Sequence, residues 1–160
     1  MAEALLKHRQ VLVDTTDKEC GQTPLSLAAG QGNTPIVKLL LAHGADPNAR
    51  DRDRRTALAW AADNGRSEEV KLLLADTRTD PNLPDAKGWT PLAQAIESGN
   101  DIVVRLLLSR PDVDMNAPCA EGITPVQRVY RKGHLDMLFM FDKARAQRRV
   151  ELVDHGSDEG

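Results

Sequence analysis

The sequence predicts an all-α repeat protein, and three observations carry that prediction. First, four segments fall into register: GQTPLSLAAGQGN from Gly21, RRTALAWAADNGR from Arg54, GWTPLAQAIESGN from Gly88 and GITPVQRVYRKGH from Gly122. Their threonines, Thr23, Thr56, Thr90 and Thr124, are spaced by 33, 34 and 34 residues, and self-similarity at such a period marks an array of supersecondary units. Second, each segment is followed by an apolar run, PIVKLLLAHG, EEVKLLLADT, DIVVRLLLSR or LDMLFMFDKA, with its apolar residues at helical spacing. Third, only 3% of the residues are aromatic, and the 41% hydrophobic fraction is mostly Leu, Val and Ala, which favours helices packed at short distance over a sandwich of large side chains.

Each unit carries its own punctuation. The Thr hydroxyl can cap a helix, Pro24, Pro91 and Pro125 fall in the first turn where a missing N–H costs nothing, and Gly32, Gly65, Gly99 and Gly133 close it. A second short helix follows, in which Ile36, Leu39 and Leu40 are expected to form one buried stripe and Gly44 to end the first copy. The segments ADPNARDRDRR, TDPNLPDAKGW and VDMNAPCAEGI, rich in Asp, Pro, Asn and Gly, then describe a tight turn and an extended finger leading to the next Thr. The two copies of period 34 hold their extra residue just before this turn, in DTRTDPN and SRPDVDMN, where it lengthens a surface loop.

TPLSLAA followed by LLLAHGADPNA closely resembles the ankyrin repeat, and the likeness extends from Cys20 to about Phe141. The resemblance implies an ankyrin-repeat solenoid: paired helices stacked side by side, with β-hairpin-like fingers projecting at roughly a right angle to give a concave surface. Ala28, Ala29, Ala61 and Ala62 agree with it, being small where helices of adjacent units approach. The expected boundaries are a partial repeat at 1–19, repeats at 20–50, 51–84 and 85–118, a fourth repeat acting as a C-terminal cap at 119–150, and a flexible acidic tail at 151–160. Ala4, Leu5 and Leu6 sit where the second helix of a preceding unit would lie, without a first helix to go with it. The chain therefore reads as beginning with a half-repeat cap or as cut from a longer array; the need to cover an apolar end favours the second. In the fourth copy Val129 and Tyr130 replace the Ala-Ala pair, and Gln127 and Arg128 stand where the family prefers His and Leu. Bulk there would obstruct a following unit, so this copy reads as a cap with Arg128, Arg131 and Lys132 solvating its terminal face; the alternative is a basic contact site.

A formal charge of −3 and a pI near 5.8 supply no field that draws phosphate backbones or anionic lipid, so neither nucleic acid nor membrane is an expected partner. No run approaches the roughly 18 apolar residues of a spanning helix, and MAEALLKHRQ has no apolar signal block. An intracellular protein, cytoplasmic or nuclear, and a monomer, is expected. Cys20 and Cys119 are far apart with no CxxC pair, so both are expected as free thiols. His8, His43, His134 and His155 are dispersed, without partners at ligand or triad spacing, and no phosphate loop is present. No metal, cofactor or catalytic role is expected.

The leading expectation is a non-catalytic protein-binding module. The resemblance places recognition of a protein or peptide on finger tips and the concave helix face, which here means Arg52, Asp53, Lys87 and Glu121 at the tips, Gln22, Arg55, Trp89 and Ile123 before the capping threonines, and Asp63, Asn64, Glu97, Arg131 and Lys132 at the ends of the first helices. Trp89 is the favoured anchor, in a column expected to be exposed; its bland alternative is a ring covering the neighbouring finger. Trp60, matching Leu27, reads as core. The run ARDRDRR is either self-paired and solvated or a site for an acidic partner, and Lys143, Arg145, Arg148 and Arg149 read as a solvated helix end. The second hypothesis is a spacer or regulatory segment of a larger protein whose catalytic or signalling domain lies elsewhere.

Overall fold

The computed structural model describes residues 13–154, with side chains through Val150. The half-repeat expected at Ala4, Leu5 and Leu6 lies outside the described residues, as do residues 155–160 of the expected tail; residues 151–154 are helical rather than tail.

Every unit starts at its threonine. Thr23, Thr56, Thr90 and Thr124 are extended and accept a hydrogen bond on Oγ1 from the backbone N–H three residues on, at 3.1, 3.2, 3.3 and 3.3 Å. These caps satisfy a donor that the first turn would leave orphaned and begin the first helices α1 (Pro24–Gln31), α3 (Ala57–Asp63), α5 (Pro91–Glu97) and α7 (Pro125–Lys132). In α7 the side chain of Gln127 returns to accept from the N–H of Thr124 at 2.9 Å, completing a capping box. The second helices are α2 (Thr34–Ala42), α4 (Ser67–Ala75), α6 (Asp101–Leu108) and the longer α8 (Leu135–Asp154).

Small residues set the stacking distance. Ala28, Ala61 and Ala95, with Ala29 and Ala62 beside them, are buried where α1 packs on α3 and α3 on α5. The second helices stack in parallel register, α2 on α4, α4 on α6 and α6 on α8. Their core is Val37, Val70 and Val104 in one column, Leu73, Leu107 and Phe141 in another. The expected stripe of the first copy is only partly buried: Leu40 packs against the core, but Ile36 is 40% and Leu39 55% exposed, while the fully buried residue is Val37. The equivalents of Ile36 in later units, Glu69, Val103 and Met137, are buried, each having a preceding second helix among the described residues to cover it. Burial of this column is thus set by the neighbouring unit and not by helix period alone.

Fingers and turns are linked by two ladders of hydrogen bonds. The fingers are tight hairpins closed by Asp51 N to Arg55 O, Asp85 N to Trp89 O and Cys119 N to Ile123 O, at 3.1, 2.9 and 3.1 Å. Each joins the one before it by a single backbone bond: Arg52 N to Cys20 O, Ala86 N to Asp53 O and Ala120 N to Lys87 O, at 3.1, 2.8 and 3.0 Å. In the turns, Asn48 donates to Arg78 O and accepts from Asp80 N at 2.7 and 2.8 Å, and Asn82 donates to Asp112 O and accepts from Asp114 N, both at 2.7 Å. One amide thereby satisfies a carbonyl and an N–H of the following unit. The inserted loops are more than passive lengthening. Arg78 forks onto Asp76 and Arg110 onto Asp112, and Arg110 also reaches back to the carbonyl of Leu74.

The last unit has no successor among the described residues, and α8 takes over that role. It runs past Phe141, buries Ala144, and brings Arg148 to donate to Val113 O and Arg110 O at 2.9 and 2.7 Å. Arg148 is accordingly a structural clamp, not part of a solvated basic end.

Candidate protein-binding surface

The finger-to-helix corner repeats one arrangement in three units. The residue that opens the finger ties a first-helix residue nine positions later: Asp51 Oδ2 accepts from Trp60 Nε1 at 2.8 Å, Asp85 Oδ2 from Gln94 Nε2 at 3.0 Å, and Cys119 Sγ from Arg128 Nη2 at 3.2 Å. The same aspartates organise the hairpin, Asp51 accepting from the N–H of Arg55 and Asp85 from those of Lys87 and Trp89. In the first unit Asp17 performs this second task alone, accepting from the N–H groups of Glu19, Cys20, Gly21 and Gln22. These bonds, that from Cys20 foremost, hold its carboxyl below the usual aspartate range.

Two cation-on-aromatic stacks grow from this frame. Arg55 lies 3.8 Å from the centre of the Trp60 ring and pairs with Asp63 at 2.6 Å; Asp63 also accepts from Ser98 Oγ of the next unit at 2.6 Å. Arg128 lies 3.9 Å from the centre of the Trp89 ring and pairs with Glu97 at 2.9 Å, and Lys132 pairs with the other oxygen of Glu97 at 2.8 Å. Hydrogen bonds from Lys132 and then Arg128 hold the Glu97 carboxyl below its usual range against the opposing effect of burial.

Between the stacks lies a notch of about 160 Å³, lined by Arg55, Asp63, Asp85, Lys87, Trp89 and Gln94. A larger open groove of about 510 Å³ lies between α6 and α8, away from the fingers, where Phe139 is exposed beside Met140, Arg105 and Lys143. Repeated polar construction distinguishes the notch; the groove has size but no such frame.

This succession of capped helix pairs, tied fingers and asparagine rungs has its counterpart in known proteins: the profile of ankyrin repeats, in three copies, matches residues 1–85 and 70–144. The chain belongs to the ankyrin repeat family. It is 45% identical over 69 residues to the ankyrin repeat protein nuc-2 of Neurospora crassa, which covers 43% of this chain and 6% of that protein. It is 58% identical over 40 residues to the zygote-specific protein 3 of Chlamydomonas reinhardtii, 25% of this chain and 11% of that protein. The transient receptor potential channel pyrexia of Drosophila melanogaster is 40% identical over 70 residues, 44% of this chain and 7% of its own length. The matches to these relatives thus span about a tenth of their length or less. Among the described residues no helix is long and apolar enough to cross a membrane, and no group of three or more His, Cys, Asp or Glu is placed to hold a metal ion.

Several expected surface positions of this ankyrin array are committed internally. Arg52 donates to the carbonyls of Glu19 and Lys18 at 2.6 and 2.8 Å, clamping its finger to the preceding one. Ile123 is buried, and Gln22, Arg55 and Trp89 are half-buried, so the column before the threonines is not the exposed one expected. The reason differs between copies: Arg55 is held on Trp60 and Asp63 of its own unit, whereas Trp89 is covered from the next unit. Trp89 lies under Arg128, and Arg128 is itself only 6% exposed, directed back at Glu97 and Cys119 instead of solvating the terminal face. Asn64, exposed, donates to Trp60 O at 2.9 Å. Trp60 is half-buried at the rim with its indole N–H bound, not enclosed in the core. Asp53, Lys87, Glu121 and Arg131 are exposed, with side chains that make no hydrogen bond or ion pair among the described residues. Cys20 and Cys119 are both free thiols. The sequence reading did not single out Asp51, Asp85 and Gln94 as parts of a frame, although Asp in the same finger position of two copies was the available signal.

Proposed function

We propose that this chain is a non-catalytic protein-binding module that engages a protein or peptide partner along its finger tips and the adjoining ends of its first helices. Ankyrin repeats are in general protein-interaction modules, and the observation that supports this face is its division of labour. A rigid frame of tied corners holds Asp53, Lys87, Glu121 and Arg131 outward with uncommitted charges, which is the preorganisation that lowers the cost of binding. With Arg50, Arg52 and Arg55 engaged by Pro84 O, by Lys18 and Glu19 carbonyls, and by Asp63, the run ARDRDRR offers an acidic partner less than its composition suggests. The free groups are of both signs, so a partner of mixed charge fits better than a polyanion.

Capture of a partner by the immobilised chain, followed by titration of the Lys87→Glu and Glu121→Lys variants against it, tests the reading. Loss of affinity of about tenfold in either variant at unchanged melting temperature supports it. Binding untouched by both, but abolished by Phe139→Glu on the α6–α8 groove, overturns the choice of face. The second reading is a regulatory or spacer ankyrin segment of a larger protein, supported by the small share of each relative that the likeness covers. A partner bound only when further domains are attached favours it.

A further inference from the structure

The open groove between α6 and α8 carries a pattern that no contact within the chain uses. Its α8 wall is Asp136, Phe139, Met140, Lys143 and Gln147, at i, i+3, i+4, i+7 and i+11, which is one face of the helix. Phe139 is 77% exposed, the most exposed large hydrophobic residue among the described ones. Beside it the half-buried Met140 and the buried Leu108 and Ala144 give the same groove an apolar lining. A protruding ring therefore adjoins a recess that could receive one.

The charges around ring and recess are ordered along the helices. Asp136 precedes the apolar pair and Lys143 follows it, and the midpoint between these two charges falls between Phe139 and Met140. On α6, which runs parallel to α8, Asp101 likewise precedes Arg105, and both line the groove. All four charged residues are exposed, with side chains that make no hydrogen bond or ion pair among the described residues. Asp136 and Lys143 lie about 10 Å apart along the axis of α8, too far to pair with each other.

This order narrows the occupant. A peptide of one charge sign would lose at one end of the groove what it gains at the other, and an uncharged apolar ligand would answer none of the four charges. A second copy of the chain, turned about a two-fold axis at the Phe139–Met140 midpoint, has neither fault. It reverses the order of charges, so Asp136 falls opposite Lys143 of the second copy and Lys143 opposite its Asp136. Each Phe139 ring then falls on the Met140 thioether of the other copy, a favourable contact of aromatic and sulfur. Such self-complementarity is what a two-fold contact between identical chains requires.

We propose that the α6–α8 groove is a self-association surface, on which two copies of this chain pair with their α8 helices antiparallel about an axis at Phe139 and Met140. The patch is small, in the class of transient contacts burying less than about 1,200 Å² in total, so a Kd on the order of 10–100 μM is expected. The chain is then a monomer only when dilute. Because the groove lies away from the fingers, the inference does not depend on the binding reading above, and a dimer built this way keeps two sets of finger tips free.

Sedimentation velocity of the whole chain, from about 2 to about 500 μM, reads the association. The expected result is a mass that rises with concentration toward that of a dimer, and a loss of affinity of about tenfold or more in Phe139→Glu, Asp136→Lys and Lys143→Asp. These residues are exposed, so the thermal midpoint of each dilute variant should match the wild type; Phe139→Ser serves where Phe139→Glu lowers it. The decisive arm mixes Asp136→Lys with Lys143→Asp in equal amounts. Across the proposed axis that mixture restores both opposite-charge pairs, and its association should return to within about threefold of the wild type. A wild-type chain that stays monomeric throughout, association that Phe139→Glu leaves unchanged, or a mixture no tighter than either variant alone overturns the proposal.

Discussion

The guanidinium of Arg128 lies 3.9 Å from the centre of the Trp89 ring, so the last unit covers an aromatic of the unit before it and shares its Glu97. Trp89→Ala is therefore expected to lower stability by about 2 kcal/mol even without a partner. Arg128→Ala is expected to cost about 1–3 kcal/mol, since it also leaves Glu97 short of one bond. Because the two residues touch, the double variant should fall short of additivity by about 0.5–2 kcal/mol. Urea unfolding of all four chains measures this, and strict additivity would refute the stack as an energetic unit.

Acid should loosen this same junction. The folded state holds the Glu97 carboxyl below its usual range, so at low pH it binds fewer protons than the unfolded chain. The corresponding stability is complete above the unfolded pKa, about 4.3, and is lost as pH falls through the lower folded value. Glu97→Gln removes that titration, and its unfolding midpoint should drop less than that of the wild type between neutral pH and about pH 3. Lys132→Met, which removes the foremost cause of the shift, should move the loss to higher pH.

Arg54 adopts φ 61°, whereas the matching residues in the other fingers are glycines with φ between 69° and 76°. A side chain in that region costs about 1–2 kcal/mol, of which a glycine returns part through its greater freedom when unfolded. Arg54→Gly should raise stability by about 0.5–1 kcal/mol, read as an upward shift of the thermal midpoint. A lower midpoint would mean that the arginine side chain makes a compensating contact.

The asparagine rungs separate bonded from terminal copies of one residue. Asn82→Ala removes two hydrogen bonds to the following unit and should cost about 1–3 kcal/mol. Asn116→Ala, at the exposed equivalent with no following turn among the described residues, should change stability by less than about 0.5 kcal/mol. Denaturant melts of the pair giving equal losses would contradict the ladder.

The period, the threonine caps and the small helix faces were legible because each is a local choice repeated in sequence: Thr23 does in its own turn what Thr124 does in another. What could not be read depended on neighbours. Ile36 and Val103 share a column, yet one is exposed and the other buried, because among the described residues a preceding second helix covers only the second. The corner ties were hidden by their changing chemistry, an indole on Asp51, an amide on Asp85 and a guanidinium on Cys119. Trp89 is half-buried and not exposed for the same reason, its cover arriving from a residue 39 positions later, Arg128.

The rungs at Asn48 and Asn82 address their neighbours through main-chain atoms alone, a carbonyl and an N–H. A joint of that kind does not read which side chains stand on the other side, so whole units behave as interchangeable cassettes along this edge. Excising the stretch from Arg50 through Leu83 would bring Asn48 opposite Asp112 and Asp114, the same atoms that Asn82 now holds. Shortening or lengthening the array by duplication and loss of such cassettes leaves this seam intact, and change is then free to accumulate at the finger tips.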